Sequence, residues 1–163
     1  EFGAECIERP KELAGDIIHP DEAIIHSILY IAENKKYIPE CILMLQPTSP
    51  IREQNDIQNA IDNVLFNEYN SAISACRSHH LFWTKDENNN WASSYGNDRP
   101  RRQDLTQFTE DGSIYVFKTI EFLKTSNRII NPIYVQEIDQ SCSYEIDTQI
   151  DWFILETLLK ARD

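Results

Sequence analysis

The fold class of this chain is decided by five consecutive apolar residues, Cys41-Ile42-Leu43-Met44-Leu45. A strand that is apolar on both faces is typical of a parallel sheet covered by helices on both sides. The strand is followed by Gln46 and by the turn Pro47-Thr48-Ser49-Pro50, whose two prolines prevent its continuation. We therefore expect a central strand that places a polar turn at one end of a sheet.

Helical and strand periods alternate on both sides of this strand. The predicted helices cover residues 20–34, 57–65, 119–125 and 148–162, and the predicted strands cover residues 71–76, 113–117 and 133–138. The last helix begins with Thr148-Gln149-Ile150-Asp151, which resembles a capping box with Asp in place of Glu. This order predicts an α/β sandwich on a mostly parallel sheet, in which ligands bind beyond the carboxyl ends of the strands.

Composition excludes several classes of partner. The chain has 163 residues with 15 basic and 27 acidic side chains, a net charge of −12. Such a charge disfavours binding to nucleic acids, which requires clustered Lys and Arg, and to anionic membranes. No apolar run approaches the roughly 20 residues that span a bilayer. We therefore expect neither a nucleic-acid nor a membrane partner.

The four cysteines are far apart in sequence, at positions 6, 41, 76 and 142. No two have the spacing of metal ligands, and a chain of this length does not need disulfides for stability. We expect thiols in a reducing cytoplasm, with Cys41 and Cys76 as small buried side chains. The pair His79-His80 lacks a nearby Cys or carboxylate, so we interpret it as part of a loop rather than a zinc site.

Residues 77–111 interrupt the regular pattern. They combine Asn88-Asn89-Asn90, many charges and isolated aromatic residues. A long irregular segment inside a compact domain is usually functional or an interaction arm. Arg99, Arg101 and Arg102 lie within it, followed by Gln103, and guanidinium groups bind carboxylates or phosphates in bidentate fashion. The alternative is a charged loop that balances Asp98 and Asp104.

Two further segments carry candidate functional groups. Gln46, Thr48, Ser49 and Arg52 bring an amide, two hydroxyls and a guanidinium together in the turn after the central strand. The alternative there is a proline-stiffened loop with Arg52 in solvent. Glu145 and Asp147 lie on the same side of an extended segment, where they could hold Mg²⁺. The alternative is that Asp147 is part of the cap of the last helix and Glu145 is solvated.

Taken in order, these segments resemble the CMP-N-acetylneuraminate synthetases, the acylneuraminate or nonulosonate cytidylyltransferases. Residues 45–52 are similar to the LQPTSPLR signature of that family, with Ile51 for Leu. The family motifs FGAE…RPxELAxD, PRxQ…NGAIY and (D/E)IDTxxD are matched by residues 2–16, 100–115 and 145–151. The resemblance implies a Rossmann-like three-layer sandwich of the nucleotide-diphospho-sugar transferase type. It also implies transfer of CMP from CTP to a sialic acid-like sugar, with release of pyrophosphate.

The resemblance also implies roles for individual residues. Asp147 and Glu145 would bind the catalytic Mg²⁺, and Arg9 and Asp16 would lie near the nucleotide. Arg101 would contact the carboxylate of the sugar, and Arg101 and Asp147 would be the catalytic residues. The other residues of the sugar pocket would be Gln46, Thr48, Ser49, Arg52, Gln103 and Tyr115. Residues 77–111 would be an arm that exchanges across a homodimer and completes the partner's sugar pocket.

Two departures from the family pattern affect the expected function. Asp111 stands where the family usually has Asn, which adds negative charge near the expected sugar carboxylate, so we expect a sugar that differs from sialic acid. The family's N-terminal strand and its Gly-, Ser- and Lys-containing phosphate loop have no counterpart here, and the chain does not begin with Met. We therefore expect residues 1–163 to be a partial cytidylyltransferase domain that is inactive or nearly so alone. The alternative is a non-catalytic module that binds a sugar or sugar nucleotide.

Overall fold

The structure is a computed structural model that describes residues 3–15 and 17–162. Its helices are α1 (Pro20–Lys35), α2 (Asp56–Phe66), α3 (Thr119–Thr125) and α4 (Gln149–Lys160). Its strands are β1 (Cys41–Leu45), β2 (Ser71–Ser78), β3 (Trp83–Lys85), β4 (Trp91–Ser93), β5 (Gln107–Lys118) and β6 (Ile133–Ile138). Short 3₁₀ helices cover Lys11–Leu13, Arg102–Asp104 and Gln140–Cys142. Each helix and strand predicted from the periodicity is present.

The main sheet has the strand order β1-β5-β2-β6 within the described residues. The prediction that β1 is a central strand is therefore wrong: it pairs with β5 alone, at an edge of this sheet, and its residues are half-buried rather than buried, apart from the exposed Leu45. β5 runs antiparallel to β1 and to β2, whereas β2 and β6 are parallel. Three of the four strands therefore share a direction, and the sheet is mixed, since β2 and β6 are parallel neighbours while β5 is antiparallel to the strands on both of its sides. β5 is reversed because the chain leaves the sheet at Ser78, the end of β2, and re-enters at Gln107, which pairs with Ser78.

Helices cover both faces of this sheet. On one face, Ile28 of α1 and Phe122 of α3 form a buried cluster with Tyr115 and Phe117 of β5. On the other face, Ala60 and Val64 of α2 pack against residues 72, 114 and 116 of the sheet. These two layers of helices around one sheet confirm the predicted three-layer sandwich of the Rossmann-like type.

The last helix packs at one end of the sheet. Leu155 of α4, 2% exposed, lies in a buried cluster with Ile51, Cys76, Ile138 and Cys142. The predicted burial of Cys76 is confirmed, whereas Cys41 is only half-buried. All four cysteines are free thiols. Because Ile51 follows the turn after β1, this cluster holds that turn next to the start of α4.

Strand β5 contains an irregularity that positions the candidate site. Ile73 of β2 pairs with Tyr115, but Ala75, two residues later, pairs with Glu110. Four residues of β5, 111–114, therefore lie opposite Ser74 alone. Such a bulge bends the strand and changes the direction of its side chains. It lies near Leu45, the end of β1, which pairs with Ile114.

The segment predicted as an arm leaves the main sheet between residues 79 and 106. β2 extends to Ser78 and β5 begins at Gln107, so both ends of the predicted arm, residues 77–111, belong to the main sheet. β3 and β4 form a separate antiparallel hairpin within it. Trp83 packs edge-to-face on Tyr95, with 6.0 Å between ring centroids, yet Trp83 and Trp91 remain more than half exposed.

Among the residues that the structure describes, we find no helix with the length and apolar character needed to cross a membrane.

Candidate functional site

The candidate site is centred on Gly112, inside the bulge of β5. Gly112 has a φ of +71°, in the left-handed region that favours glycine. A Cβ at this position would lie 2.5 Å from Oε1 of Gln46 and would also overlap Oε1 of Glu145. Glycine is therefore required twice, for its backbone conformation and for the space above it. The amide of Gln46 and the carboxylate of Glu145 converge over this backbone.

Ser74 stabilises the bulge below the site. Its hydroxyl donates to Oδ1 of Asp111 at 2.5 Å and accepts from the backbone N–H of Ile114 at 2.8 Å. Both contacts are buried, since Ser74 is 1% and Asp111 3% exposed. Ser74 therefore satisfies polar groups that the bulge removes from the regular sheet hydrogen bonds.

Asp111 has a carboxyl group buried in the protein interior. Burial raises the pKa of its carboxyl, and the bond from Ser74 and the nearby charge of Arg52 oppose this shift. Its second oxygen, Oδ2, is buried and finds no hydrogen-bond partner within residues 3–15 and 17–162. The Asp that replaces the family's usual Asn is therefore held in the protein interior, where a negative charge is costly.

Arg52 joins the turn after β1 to β5. Its Nη2 donates to the carbonyl oxygens of Gln46, at 3.2 Å, and Ser113, at 3.0 Å. The side chain is half-buried, and desolvation lowers its pKa. The alternative of a solvated Arg52 is wrong. The predicted substrate contact by this residue stays a prediction, and the geometry gives it a bracing role.

Ser49 and Thr48 connect the same turn to the segment before α4. The hydroxyl of Ser49, which is fully buried, lies 3.2 Å from the carbonyl oxygen of Asp111 and 3.3 Å from Oε1 of Glu145. The carbonyl oxygen of Thr48 accepts from the backbone N–H of Ile146 at 2.9 Å. These contacts fix Glu145 beside Gln46.

Glu145 and Asp147 present carboxylates at this end of the sheet. Burial raises the pKa of Glu145, as do the negative charges of Asp147, Asp111 and Glu110, while the contact with Ser49 lowers it. Asp147 is exposed. The predicted capping box of α4 is confirmed and consists of Thr148 and Asp151. The backbone N–H of Asp147 donates to Oδ2 of Asp151 at 3.2 Å, so Asp147 is part of the cap through its backbone, as the alternative has it, whereas Glu145 is half-buried rather than solvated. The predicted binding of Mg²⁺ by these two residues stays a prediction.

These two carboxylates fit a magnesium ion better than a transition metal. Mg²⁺ prefers oxygen ligands and commonly uses one or two protein carboxylates together with substrate phosphates and water. In the described part of the chain, no group of three or more His, Cys, Asp or Glu side chains is arranged to hold a metal ion. The donor set therefore suits an ion that arrives with a phosphate substrate.

A cavity of about 670 Å³ opens beside these residues, between the sheet and the arm. Its sheet side includes three carboxylates, those of Glu110, Asp111 and Glu145. Its other side includes basic and aromatic groups of the arm, among them His79, Trp83, Arg99 and Arg102. The cavity therefore presents opposite charges on two walls, which suits a polar ligand that carries an acidic group at one end.

The arginine cluster divides between the cavity and the surface. Arg99 and Arg102 line the cavity, whereas Arg101 is exposed and pairs with Asp104, with Nε 2.7 Å from Oδ2. Gln103 is also exposed. The predicted role of Arg101 in binding the sugar carboxylate remains a prediction, since in this arrangement its guanidinium is turned to Asp104.

Tyr115 lies under the cavity rather than on its wall. Its ring belongs to the core cluster on the α1 side of the sheet, and the residue is 4% exposed. Its hydroxyl donates to Oε1 of Glu110 at 2.5 Å, and Glu110 lines the cavity. The predicted contact of Tyr115 with the sugar stays a prediction, since in this geometry the tyrosine hydroxyl is bonded to Glu110.

The predicted nucleotide residues lie in the segment before α1. Arg9 is exposed, and Asp16 lies outside the described residues. Their predicted proximity to a nucleotide stays a prediction.

Two residues of the site were not predicted from the sequence, Ser74 and Glu110. Ser74 interrupts a strand of small and apolar residues, and Gly112 directly precedes the next predicted strand, residues 113–117. A polar residue in one strand and a glycine in its neighbour is a pattern that marks bulges. Glu110 gave no such signal, because its role depends on the hydroxyl of Tyr115.

Comparisons with known proteins address the family directly. No protein-family model matches the chain. The chain is 29% identical to N-acylneuraminate cytidylyltransferase B of Danio rerio and 23% identical to N-acylneuraminate cytidylyltransferase of Escherichia coli O18:K1:H7. These alignments cover 95% and 99% of this chain but only 37% and 39% of the relatives. The chain thus spans less than half the length of the curated relatives that it matches.

A solved structure supports the fold. The crystal structure of 4-diphosphocytidyl-2C-methyl-D-erythritolsynthase from Anaerococcus prevotii matches with a TM-score of 0.56 at 12% identity. The match covers 89% of this chain and 67% of that chain. At this identity the match supports the fold alone. The resemblance predicted from the motifs is confirmed: over nearly its whole length, this chain is related to the N-acylneuraminate cytidylyltransferases.

Proposed function

We propose that the protein containing this chain transfers CMP from CTP to a sialic acid-like nonulosonate and releases pyrophosphate. The observation that carries the proposal is the convergence of Gln46 and Glu145 over Gly112, next to a cavity with basic side chains on its far wall. It lies beyond the carboxyl end of β1, where α/β sheets bind their ligands. The names of the relatives supply the reaction type.

The cavity supports a sugar acid as acceptor. Its volume of about 670 Å³ lies within the range of small-molecule sites. Arg99 and Arg102 supply positive charge for a carboxylate, and Arg101 would join them when its pair with Asp104 opens. The amide of Gln46 both donates and accepts hydrogen bonds, as a ligand rich in hydroxyl and amide groups requires. Thr48, Ser49 and Arg52 then hold Gln46 and Glu145 in place.

Asp147 and Glu145 would hold Mg²⁺, which would neutralise phosphate oxygens of the nucleotide. Ser49 orients the Glu145 carboxylate, and the capping box of Thr148 and Asp151 fixes the backbone next to Asp147. Arg9 and Asp16 are proposed to lie near the nucleotide.

In the proposed reaction, the anomeric hydroxyl of the acceptor forms a bond to the α-phosphorus of CTP. The bond between that phosphorus and the pyrophosphate oxygen breaks, and the hydroxyl proton is released. Phosphoryl chemistry of this kind depends on positioning and charge neutralisation. Gln46 and the basic side chains Arg99 and Arg102 on the far wall of the cavity would orient the acceptor.

The arm supports a homodimer, and the thiols support a cytoplasmic location. Phe82, Trp83 and Trp91 are 50%, 56% and 63% exposed on the arm, and exposed clusters of this kind often mark protein interfaces. We propose that the arm contacts a second copy, which light scattering on the wild type and on W83S would test. Four free cysteines suit a reducing compartment.

The reaction is tested on the longest natural protein that contains these 163 residues. Pyrophosphate release is measured with Mg²⁺, with CTP, UTP or GTP, and with a panel of nonulosonates. We expect release only with CTP and a nonulosonate together, and loss of release on chelation of the metal. Saturable binding of a nonulosonate or CMP-sugar without turnover would instead support the alternative, a non-catalytic binding module. Absence of both turnover and binding would refute both proposals.

A further inference from the structure

A buried ion pair lies on the face of the sheet opposite α2. Nη1 of Arg128 is 2.7 Å from Oδ1 of Asp21, and their side chains are only 16% and 4% exposed. Asp21 belongs to the first turn of α1, and Arg128 lies in the connection between α3 and β6. Burying two charges costs free energy that their attraction repays only when the geometry is good, so a buried pair is weak evidence for added stability. The pairs Lys124–Glu121 and Lys160–Glu156, by contrast, are largely exposed.

Arg128 also contacts Tyr115. The guanidinium carbon of Arg128 lies 4.7 Å from the centroid of the Tyr115 ring, a cation–π contact. Because Nη1 of Arg128 donates a hydrogen bond to Asp21, the plane of the guanidinium group is fixed over the tyrosine ring. The ring in turn is confined by the buried cluster that includes Ile28 and Phe117.

The hydroxyl of Tyr115 extends this chain of contacts to the cavity. It donates to Oε1 of Glu110 at 2.5 Å, and Glu110 lines the cavity next to Asp111. Glu110 is exposed, and holding a glutamate side chain in one rotamer costs conformational entropy. The bond from Tyr115 therefore sets the direction of a carboxylate that would otherwise sample several rotamers.

We infer that Arg128 is a positioning residue: held by Asp21, it fixes Tyr115 so that the tyrosine hydroxyl holds the Glu110 carboxylate on the cavity wall, where it accepts hydrogen bonds from hydroxyl or amide N–H groups of the acceptor. This inference rests on the proposed function and deepens it. It assigns acceptor affinity to an ion pair that does not itself line the cavity.

The first test compares three variants of the full-length protein with the wild type. Arg128→Met removes the charge and the donors, Arg128→Lys keeps the charge without the planar group, and Lys124→Met removes a charge from an exposed pair as a control. For Arg128→Met we expect the acceptor KM to rise about threefold to tenfold, the effect of weakening one charged hydrogen bond. We expect the KM for CTP and kcat to stay within about twofold of the wild type, because the inference assigns Glu110 a contact with the acceptor and none with CTP. The acceptor KM of Arg128→Lys should lie between that of the wild type and that of Arg128→Met.

A structural role alone would lower the melting temperature without moving the acceptor KM, and that result overturns the inference. If Arg128→Met does not fold, Glu110→Gln provides the second variant, because Glu110 is exposed and its loss leaves the core intact. Glu110→Gln should raise the acceptor KM to a similar extent. An unchanged acceptor KM in Glu110→Gln refutes the inference.

A second measurement does not depend on activity. In protein labelled with ¹³Cζ-tyrosine, Tyr115→Phe assigns the resonance of Tyr115. We expect Arg128→Met and Glu110→Gln to shift that resonance, and Lys124→Met to leave it unchanged. No shift in either variant overturns the inference even if the wild type is active. If the two variants shift the resonance but the wild type has no cytidylyltransferase activity, the contacts stand and the proposed function fails. This outcome separates the inference from the proposed function.

Discussion

Replacing Gly112 by Ala tests whether the candidate site depends on close approach over the glycine backbone. At a φ of +71°, an alanine costs about 1–2 kcal/mol relative to glycine. For a domain of this size each kcal/mol lowers Tm by about 2–4 °C, so we expect a decrease of roughly 2–8 °C. The added Cβ also displaces the side-chain ends of Gln46 and Glu145. Because both ends are flexible, the displacement affects ligand binding more than folding.

The cost in acceptor affinity follows from the two hydrogen bonds, one donated and one accepted, that the Gln46 amide would make. Each ordinary hydrogen bond contributes about 0.5–1.5 kcal/mol, so the loss of two weakens acceptor binding roughly 5- to 150-fold. Isothermal titration with the nonulosonate, in the presence of Mg²⁺ and a nucleotide, measures this loss. Thermal unfolding followed by circular dichroism measures the stability change separately.

Gly96 provides a matched control for this experiment. Its φ is +65°, close to that of Gly112, but within the described part of the chain a Cβ there would meet no atom within 4 Å. Gly96→Ala should therefore lower Tm to a similar extent and leave acceptor affinity unchanged. If Gly112→Ala binds the acceptor as tightly as Gly96→Ala does, the site is not built over Gly112 and the reasoning is refuted.

Three further predictions concern charged residues. Asp147→Asn should reduce turnover and its Mg²⁺ dependence by at least about tenfold, with an unchanged far-UV spectrum, because Asp147 is a proposed metal ligand. Arg101→Ala should raise the KM for the acceptor more than that for CTP, and steady-state kinetics checks this. Asp111→Asn should flatten the pH dependence of the free energy of unfolding, measured in urea between about pH 4 and pH 8.

The sign of the Asp111 effect follows from its raised pKa. Burial raises the pKa of Asp111 in the native state above its ordinary value of 3.8. At a pH between the unfolded-state pKa and the native-state pKa, the native state therefore binds more protons than the unfolded state. The free energy of unfolding of the wild type therefore decreases as the pH rises through that interval. The Asp111→Asn variant has no carboxyl at this position and does not show this decrease. Equal pH slopes for wild type and variant would contradict the buried-charge assignment.

The other two predictions also have controls. Glu156→Gln removes a carboxylate from an exposed pair on α4 and should leave turnover unchanged. Asp104→Ala releases Arg101 from its partner and should not weaken acceptor binding. If Arg102→Ala raises the acceptor KM while Arg101→Ala does not, the carboxylate contact belongs to Arg102.

The layers of the fold could be predicted from sequence because they depend on local periodicity. The run Cys41–Leu45 identified a strand covered on both faces, and the 3.6-residue period of α2 identified a helix that covers one of them. The antiparallel direction of β5 could not be predicted, because it depends on where the chain returns after residues 79–106. Direction is a property of the connection, not of the strand's composition.

The site was predictable in part for a similar reason. Gln46, Ser49 and Glu145 follow strands or precede a helix, and such positions meet at one end of a sheet. The bulge at residues 111–114 depends on the register between β2 and β5, which single-strand patterns do not determine. The alternative of a charged loop holds for Arg101, which pairs with Asp104, but the sequence did not show that Arg99 and Arg102 would line the cavity instead.

The bulge joins two mechanically different halves of one strand. Residues 113–117 are buried between neighbours on both sides, whereas residues 108–110 are exposed and pair with β2 alone. Any displacement of the arm therefore reaches the backbone of Asp111 and Gly112 directly, without passing through side-chain packing. Amide hydrogen exchange should be slow after the bulge and faster before it, and a bound acceptor should slow the faster half. Contact at the arm and occupancy of the cavity would then be thermodynamically linked through a single stretch of covalent backbone.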